Sequence, residues 1–486
     1  GALSQSGAIT IDVADGKTLT YSGASVSLGA NTLTMSGGGT LSNTNAFGLD
    51  DASSKLLLNS ITVDSVSTSA DNSGLDVDNN STVTSLTVAH TTPVSIASGK
   101  TLSGAVTVTA GSIKLGEAGT LASTIAMSGG TLDSDNSSTL SGTLTQTGAI
   151  TIDVADGKTL TYSGNEISLG ANTLTMSGEG TFSNTNALDL NNASSKLLLD
   201  SITVDNVSTS LASLGLDVDN NSTVSSLTVA HTTPVSIASG KTLSGAITVT
   251  AGSLQLDKAG TLASSVSMSG GTLDADKTLT LSGALTQSGD IEIDVAEGKT
   301  LTYSGAALSL GANTLRMSGE GTFSNTNALV LSNASSKLLL DSITVDNVST
   351  SADNSGLDVD ANSTVTSLTV AHTTPVSIAS TKTLSGAITV TDGSIKLGEA
   401  GTLASTVAMS GGTLDADNSS TLSGALTQSG AITIDVAEDK TLTYSGAALS
   451  LGAYTLTMSG GGAFSNTNNL ELNNASSKLL LNSITV

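Results

Sequence analysis

The 486-residue sequence predicts an all-β chain: a right-handed parallel β-solenoid with about 20 residues in each three-strand coil and about seven coils in each 141-residue repeat. Three features point there. The chain copies itself at a fixed interval, because Tyr21, Tyr162, Tyr303 and Tyr444 recur in KTLTYSG, and His90, His231 and His372 recur in AHTTPVSIAS, all 141 residues apart without insertion or deletion. Within a copy, apolar residues alternate with polar ones, as Ile9, Ile11 and Val13 do around Thr10 and Asp12. That is the period of a half-buried strand. Aromatic residues are only 2% of the chain and Trp is missing, against 52 Gly, so the interior is expected to be thin and filled by Leu, Ile, Val and Ala.

The repeat divides the chain into residues 1–141, 142–282 and 283–423 as full copies and 424–486 as a partial fourth, forming one continuous rod without linkers. The fourth copy stops mid-unit, as a window cut from a longer chain would. Inside each copy the sub-repeat reads apolar-x-apolar, a short turn, then a further apolar position. In copy 1 it is carried by Ile11, Val13 and Leu19; by Leu75, Val77 and Val83; by Val94, Ile96 and Leu102; and by Ile113, Leu115 and Leu121. A second apolar pair often follows, such as Val106 and Val108, which supplies the third strand. Ile96, Leu102, Val106, Leu115 and Leu121 are therefore expected to form a core ladder. The turns carry Gly, Asn and Asp, as in Ala97-Ser98-Gly99-Lys100, residues that tolerate positive φ and bond their own backbone.

The cleanest coil spacing is 19 residues, from Val83 through Leu102 and Leu121 to Leu140. It is broken twice. The short interval from Leu19 to Leu33, followed by Ser36-Gly37-Gly38-Gly39, predicts an irregular coil. The long one from Leu56 to Val83 predicts a loop over residues 65–74 that protrudes once per copy, with Ser65, Asp71, Asn72 and Ser73 as a candidate contact surface. At about 4.8 Å per coil, a copy advances roughly 34 Å.

Charge narrows the function classes. Sixteen basic residues face 41 acidic ones, a formal net charge of −25, whereas binding a phosphate backbone requires Lys and Arg to displace counterions. Nucleic acid is excluded as a partner. No apolar stretch approaches the roughly 18 residues of a membrane span, so no membrane insertion is expected in this window. With no Cys, neither a disulfide nor a thiolate metal site enters.

Several local patterns carry possible chemistry. Asp76, Asp78, Asp133 and Asp135 occur in D-x-D pairs beside Asn residues, and outward carboxylates of this kind are calcium candidates, although the G-G-x-G-x-D signature of calcium-binding solenoids is missing. The three histidines stand one per copy, too far apart to share a metal. Gly16-Lys17-Thr18 ends like a P-loop, but a strand follows where the helix should begin. Paired Thr-x-Thr residues such as Thr18/Thr20 and Thr82/Thr84 resemble the threonine ladders of ice-binding solenoids, yet they are expected at different places in the coil. A polysaccharide-active β-helix enzyme would need acids and bases converging on one cleft. The one Arg, Arg316, replaces a repeated Thr, and neither a catalytic residue nor a cofactor is expected.

The phrases TLTMSGGGTLSN (residues 32–43), SGGTLDADNSSTLSGAL (residues 410–426) and TLSGALTQSGAITIDV (residues 421–436) resemble the Gly/Ser/Thr/Asn-rich repeats of large secreted bacterial β-helix proteins, the autotransporter passengers and filamentous-haemagglutinin-like adhesins. The resemblance implies a bacterial cell-surface or extracellular rod, exported by a signal outside this window. Such a rod would act as a fibre, filament or adhesin stalk, with other copies of the chain as partners. The alternative is a module that binds a glycan or cell-surface partner through loops repeated once per copy.

Overall fold

The computed structural model describes residues 3–486, and all regular structure among them is β-strand. It forms two compact units, Gly1–Ala246 and Ile247–Val486, and each is a parallel β-solenoid. One first-leg strand marks each coil, and 24 strands occupy that leg.

In the first unit a typical coil runs through Ile150–Val154, Thr159–Tyr162 and Ile167–Ser168, and the next through Thr173–Ser177, Thr181–Asn184 and Leu188–Leu190. Successive coils pair in parallel, with Ile150 beside Leu174, Leu160 beside Phe182 and Ile167 beside Leu188. Alternation places Leu, Ile and Val inside and Thr, Ser and Asp outside. Each backbone N–H and C=O of a leg is thereby satisfied by the coil above or below, which is why a chain this poor in aromatics still forms a solid column. The second unit repeats the arrangement, for example in Ile291–Val295, Thr300–Tyr303 and Leu308–Ser309.

The second and third legs are not always separate. Thr62–Thr68, Ser81–Val88 and Thr101–Val108 each run through both legs as one strand, so Thr101–Val108 pairs with Thr120–Leu121 and with Thr124–Met127. The bend falls at Gly104, where φ is 119° and an added Cβ would lie 1.8 Å from the Val83 carbonyl oxygen. Only glycine fits so close an approach. The ladder between Ser81–Val88 and Thr101–Val108 shifts at this point.

The structure corrects four expectations. Leu102 does not lie over Val83: it pairs with Ser81, and Val94 pairs with Leu115 instead of Ile113. The turn of residues 97–100, closed by Lys100 N–H to Ala97 C=O at 2.9 Å, occupies more chain than the corner beneath it and moves the register by two residues. Leu19 and Leu33 stand on different legs, since Leu19 pairs with Leu41 and Leu33 with Ile9, so their short interval is no coil length. No loop protrudes at residues 65–74. Ser65 lies inside Thr62–Thr68, paired with Ser85, and what remains is a tight corner.

The interior is also less uniform than composition implies. Tyr162, Tyr303 and Tyr444 are fully buried and stack on Phe182, Phe323 and Phe464 with ring centroids 6.0, 5.8 and 5.9 Å apart. In copy 1 the position of Phe182 is Leu41, and Phe47 stands where Leu188 does. The phenyl ring has moved to the adjoining leg and meets Tyr21 at 6.1 Å. Volume and ring contact are both retained by the exchange.

Candidate functional site

The most distinctive surface feature follows from corner lengths. Between the first and second legs of copy 1, register places residues 12–17, 36–39, 59–61, 78–81 and 97–102 in successive corners. The corner narrows to three residues and widens again, and the surface dips at the waist. The same sequence of lengths recurs around residues 200–202 in copy 2 and residues 341–343 in copy 3.

Each waist forms an open groove of about 270–340 Å³. In copy 2 it is lined by Glu179, Ser201, Ile202, Thr203, Asn221, Ser222 and Thr223. Copies 1 and 3 present the equivalent set, with Gly38 and Glu320 in the place of Glu179. The floor is built in: Ile202 is buried, its N–H donates to Ser222 Oγ at 3.4 Å, and Ser222 Oγ donates to Asn220 C=O at 2.9 Å. Asn221 Oδ1 accepts Thr242 N–H at 3.0 Å, which fixes its amide and leaves Nδ2 outward. So short a corner forces Ser60, Ser201 and Ser342 to φ of 55–57°, a left-handed conformation that L-residues adopt at a cost. Glu179 and Glu320, at φ of 66° and 65°, add a second such residue where copies 1 and 4 have Gly38 and Gly461.

The residues singled out from sequence fall elsewhere. Asp71 and Asn72 tie the corner of residues 69–73 to the next coil, since Thr91 N–H donates to Asp71 Oδ1 at 2.8 Å and Asn72 N–H to Thr91 C=O at 2.7 Å. Ser73 is buried and donates to Ala70 C=O. His90 stands beside the same corner, Nδ1 3.7 Å from Asp71 Oδ1. These residues are spread over a strand, a buried turn and an exposed tip, and the structure does not bring them into one surface. Ile96, Leu102, Val106, Leu115 and Leu121 are all buried.

Among the calcium candidates, Asp76 and Asp133 project from the first leg while Asp78 and Asp135 occupy exposed corners. Asp76 is ion-paired with Lys55, and Asp133 with Lys114 at 2.9 Å. Asp133 heads an acidic row, paired in register with Asp153, and burial pushes its carboxyl above the usual range against the opposing effect of Lys114. In copy 2 the lysine is replaced: Gln255 Nε2 donates to Asp274 Oδ2 at 3.1 Å, Asp294 lies beside it, and burial again raises Asp274. A carboxyl raised in the folded state binds its proton more tightly there, so its contribution is most favourable below the ordinary Asp pKa and is lost as pH rises through the raised value. Asp274→Asn keeps the acceptor for Gln255. It is expected to raise the melting temperature at pH 7 and leave it unchanged near pH 3, followed by circular dichroism at both pH values.

The threonines give another correction. Thr18, Thr40, Thr62, Thr82 and Ser103 do stack in one outward row, and Thr159, Thr181, Thr203 and Thr223 do so in copy 2. The row beside it is interrupted by a charge, because Thr20 and Ser42 are followed by Asp64, which accepts from Ser42 Oγ at 2.7 Å. Thr101, Thr120, Thr139 and Thr161 stack as well, but this run passes into Ser183 and the Asp205 that accepts from it, so charge breaks the second row and no continuous flat threonine face forms.

Compared with known proteins, the chain matches no family model, no curated protein and no solved structure.

Proposed function

We propose that this structural repeat protein serves as an extracellular rod, a spacer or filament segment at a bacterial surface, with other copies of the chain as partners in a fibre and no catalytic role. The observation that supports it is the constancy of coil-on-coil pairing: Leu75 beside Val94 in copy 1 recurs as Leu216 beside Val235 and as Leu357 beside Val376. A unit that stacks on its neighbours at fixed length extends by addition, and its stability is a sum of nearest-neighbour terms. The resemblance in composition to secreted β-helix adhesins supports the placement outside the cell. High negative charge favours solubility of a long polymer.

Negative-stain electron microscopy and small-angle scattering of the purified chain test the rod directly. Slender particles that lengthen by roughly 34 Å for each added 141-residue copy are expected. Compact particles of unchanged length would overturn the reading.

A further inference from the structure

We infer that the waist grooves of copies 2 and 3 are binding sites for neutral saccharide chains, each centred on a carboxylate, Glu179 and Glu320. This goes beyond the rod reading, which stands whether or not the grooves are filled.

The lining selects the ligand class. Neither groove is lined by Lys, Arg or His, and each carries a carboxylate, so anions are repelled. The exposed lining is hydroxyl, carboxamide and backbone, with the one apolar residue, Ile202 or Ile343, buried as floor. An apolar molecule would leave these groups without hydrogen bonds, at a cost for each. A sugar ring presents the complement: adjacent hydroxyls donate to the two oxygens of one carboxylate, while other ring hydroxyls accept from Asn Nδ2 and exchange bonds with Ser and Thr.

These groups are available. Among the described residues, the side chains of Glu179, Ser201, Thr203 and Thr223 take no hydrogen-bond partner, and the same holds for Glu320, Ser342, Thr344 and Thr364. By contrast, the deeper groups are spent on the frame: Ser363 Oγ bonds Ile343 N–H and Ala361 C=O, and Asn362 Oδ1 bonds Thr383 N–H. The site thus divides into a rigid floor and a free polar rim. At about 270 and 340 Å³ the grooves stand at the small end of small-ligand sites, which run from roughly 300 Å³ upward.

Backbone conformation also shows that the two glutamates are not needed to close their corners. Copies 1 and 4 place Gly38 and Gly461 at the left-handed position, at φ of 78° and 82°, the residue that this conformation favours. Copies 2 and 3 hold Glu there instead, at φ of 66° and 65°. Nothing in the fold requires that side chain, since glycine closes the same corner in the other copies. The same exchange occurs at corners away from the grooves, with Thr381 in the place of Gly99 and Asp439 in the place of Gly16, so what sets the two glutamates apart is their place in the groove lining. Recurrence along a repeat array would let weak single contacts add through multivalency.

The test uses the whole chain against immobilised neutral oligosaccharides: glucan, mannan, galactan and β-linked N-acetylglucosamine oligomers. Retention by at least one of them, weakened about tenfold or more in the Glu179→Gln/Glu320→Gln double variant with its melting curve unchanged, is expected from the loss of charge-assisted bonds. The Glu179→Gly/Glu320→Gly variant should bind as weakly and melt higher, because glycine relieves the left-handed strain. Failure of every oligosaccharide to bind, or binding that survives the Gln variant at full strength, would overturn the assignment.

Discussion

Replacing Leu102 by Asp is expected to open the solenoid locally and nowhere else. Leu102 is 1% exposed, with Ser81 on one side of it in the ladder and Leu121 on the other, and among the described residues no Lys, Arg or His is buried in the core. A carboxylate enclosed there without a partner costs about 3–5 kcal/mol. In a globular domain that penalty would be shared by the whole cooperative unit. In a stack of coils it falls on nearest-neighbour interfaces. Hydrogen exchange in Leu102→Asp should therefore accelerate by roughly 10²–10³-fold across Ser81–Val88, Thr101–Val108 and Thr120–Met127, while Thr383–Val390, the equivalent of Thr101–Val108 in copy 3, keeps its protection. Leu102→Met, which conserves volume, should cost under about 1.5 kcal/mol. Uniform loss of protection along the chain, or none at all, would refute the one-dimensional picture.

Most of the fold is legible in the sequence because its causes are short-range and repeated. Period-two alternation in Ile9, Ile11 and Val13 gives the strands, and a fixed 141-residue interval without gaps gives the stacking. Depth and register are harder to read, for a physical reason: which residue lies over Leu102 depends on the length of a corner one coil away, and corner length means nothing until the coils are laid on one another. The groove escapes sequence reading for the same reason. Its signal was nonetheless present, as the three residues 59–61 between Leu58 and Thr62 against six, residues 12–17, between Ile11 and Thr18. Asn79, Asn80 and Ser81 can be read as corner chemistry, and Ser81 is such a residue: its Oγ donates to Asn79 C=O and accepts from Ile61 N–H. That frame is what leaves the rim of the groove free. The 65–74 segment misleads because Leu56 stands on the first leg and Val83 on the second, so the long interval between them is no coil length; its sequence also varies between copies, with Leu211-Ala212-Ser213-Leu214 in place of Ala70-Asp71-Asn72-Ser73. Variation at a surface corner reports tolerance, whereas protrusion depends on whether its backbone is tied down. Here it is tied in both: by Asn72 N–H to Thr91 C=O in copy 1, and by Leu214 N–H to Ser195 C=O at 3.0 Å in copy 2.

The tyrosines, few enough to pass as mere markers of the repeat, are expected to be the costliest side chains to remove. Tyr303 is fully buried and stacks on Phe323 at 25° between ring planes. Its hydroxyl accepts Leu285 N–H at 3.1 Å and donates to Ala306 C=O, so one side chain fills the core and holds the chain on both sides of a corner. Gly305 makes room for it, since a Cβ there would come within 2.7 Å of the ring. Tyr303→Ala should cost about 3–5 kcal/mol through the cavity it leaves, while Tyr303→Phe keeps the ring and should cost about 1–3 kcal/mol by stranding two buried backbone groups. The pair separates packing from hydrogen bonding, read by denaturant melts of the whole chain with local hydrogen exchange around Thr300–Tyr303. A third readout follows from burial, which raises the Tyr303 phenol above its ordinary value. An acid whose folded pKa is raised loses its contribution as pH climbs from the unfolded pKa, about 10 for Tyr, towards the folded one. The native chain should then weaken above about pH 10, and Tyr303→Phe should flatten part of that alkaline slope although it is the less stable protein at pH 8. An unaltered slope would mean that Tyr303 does not titrate from a buried state, and the role given to its hydroxyl would fall with it.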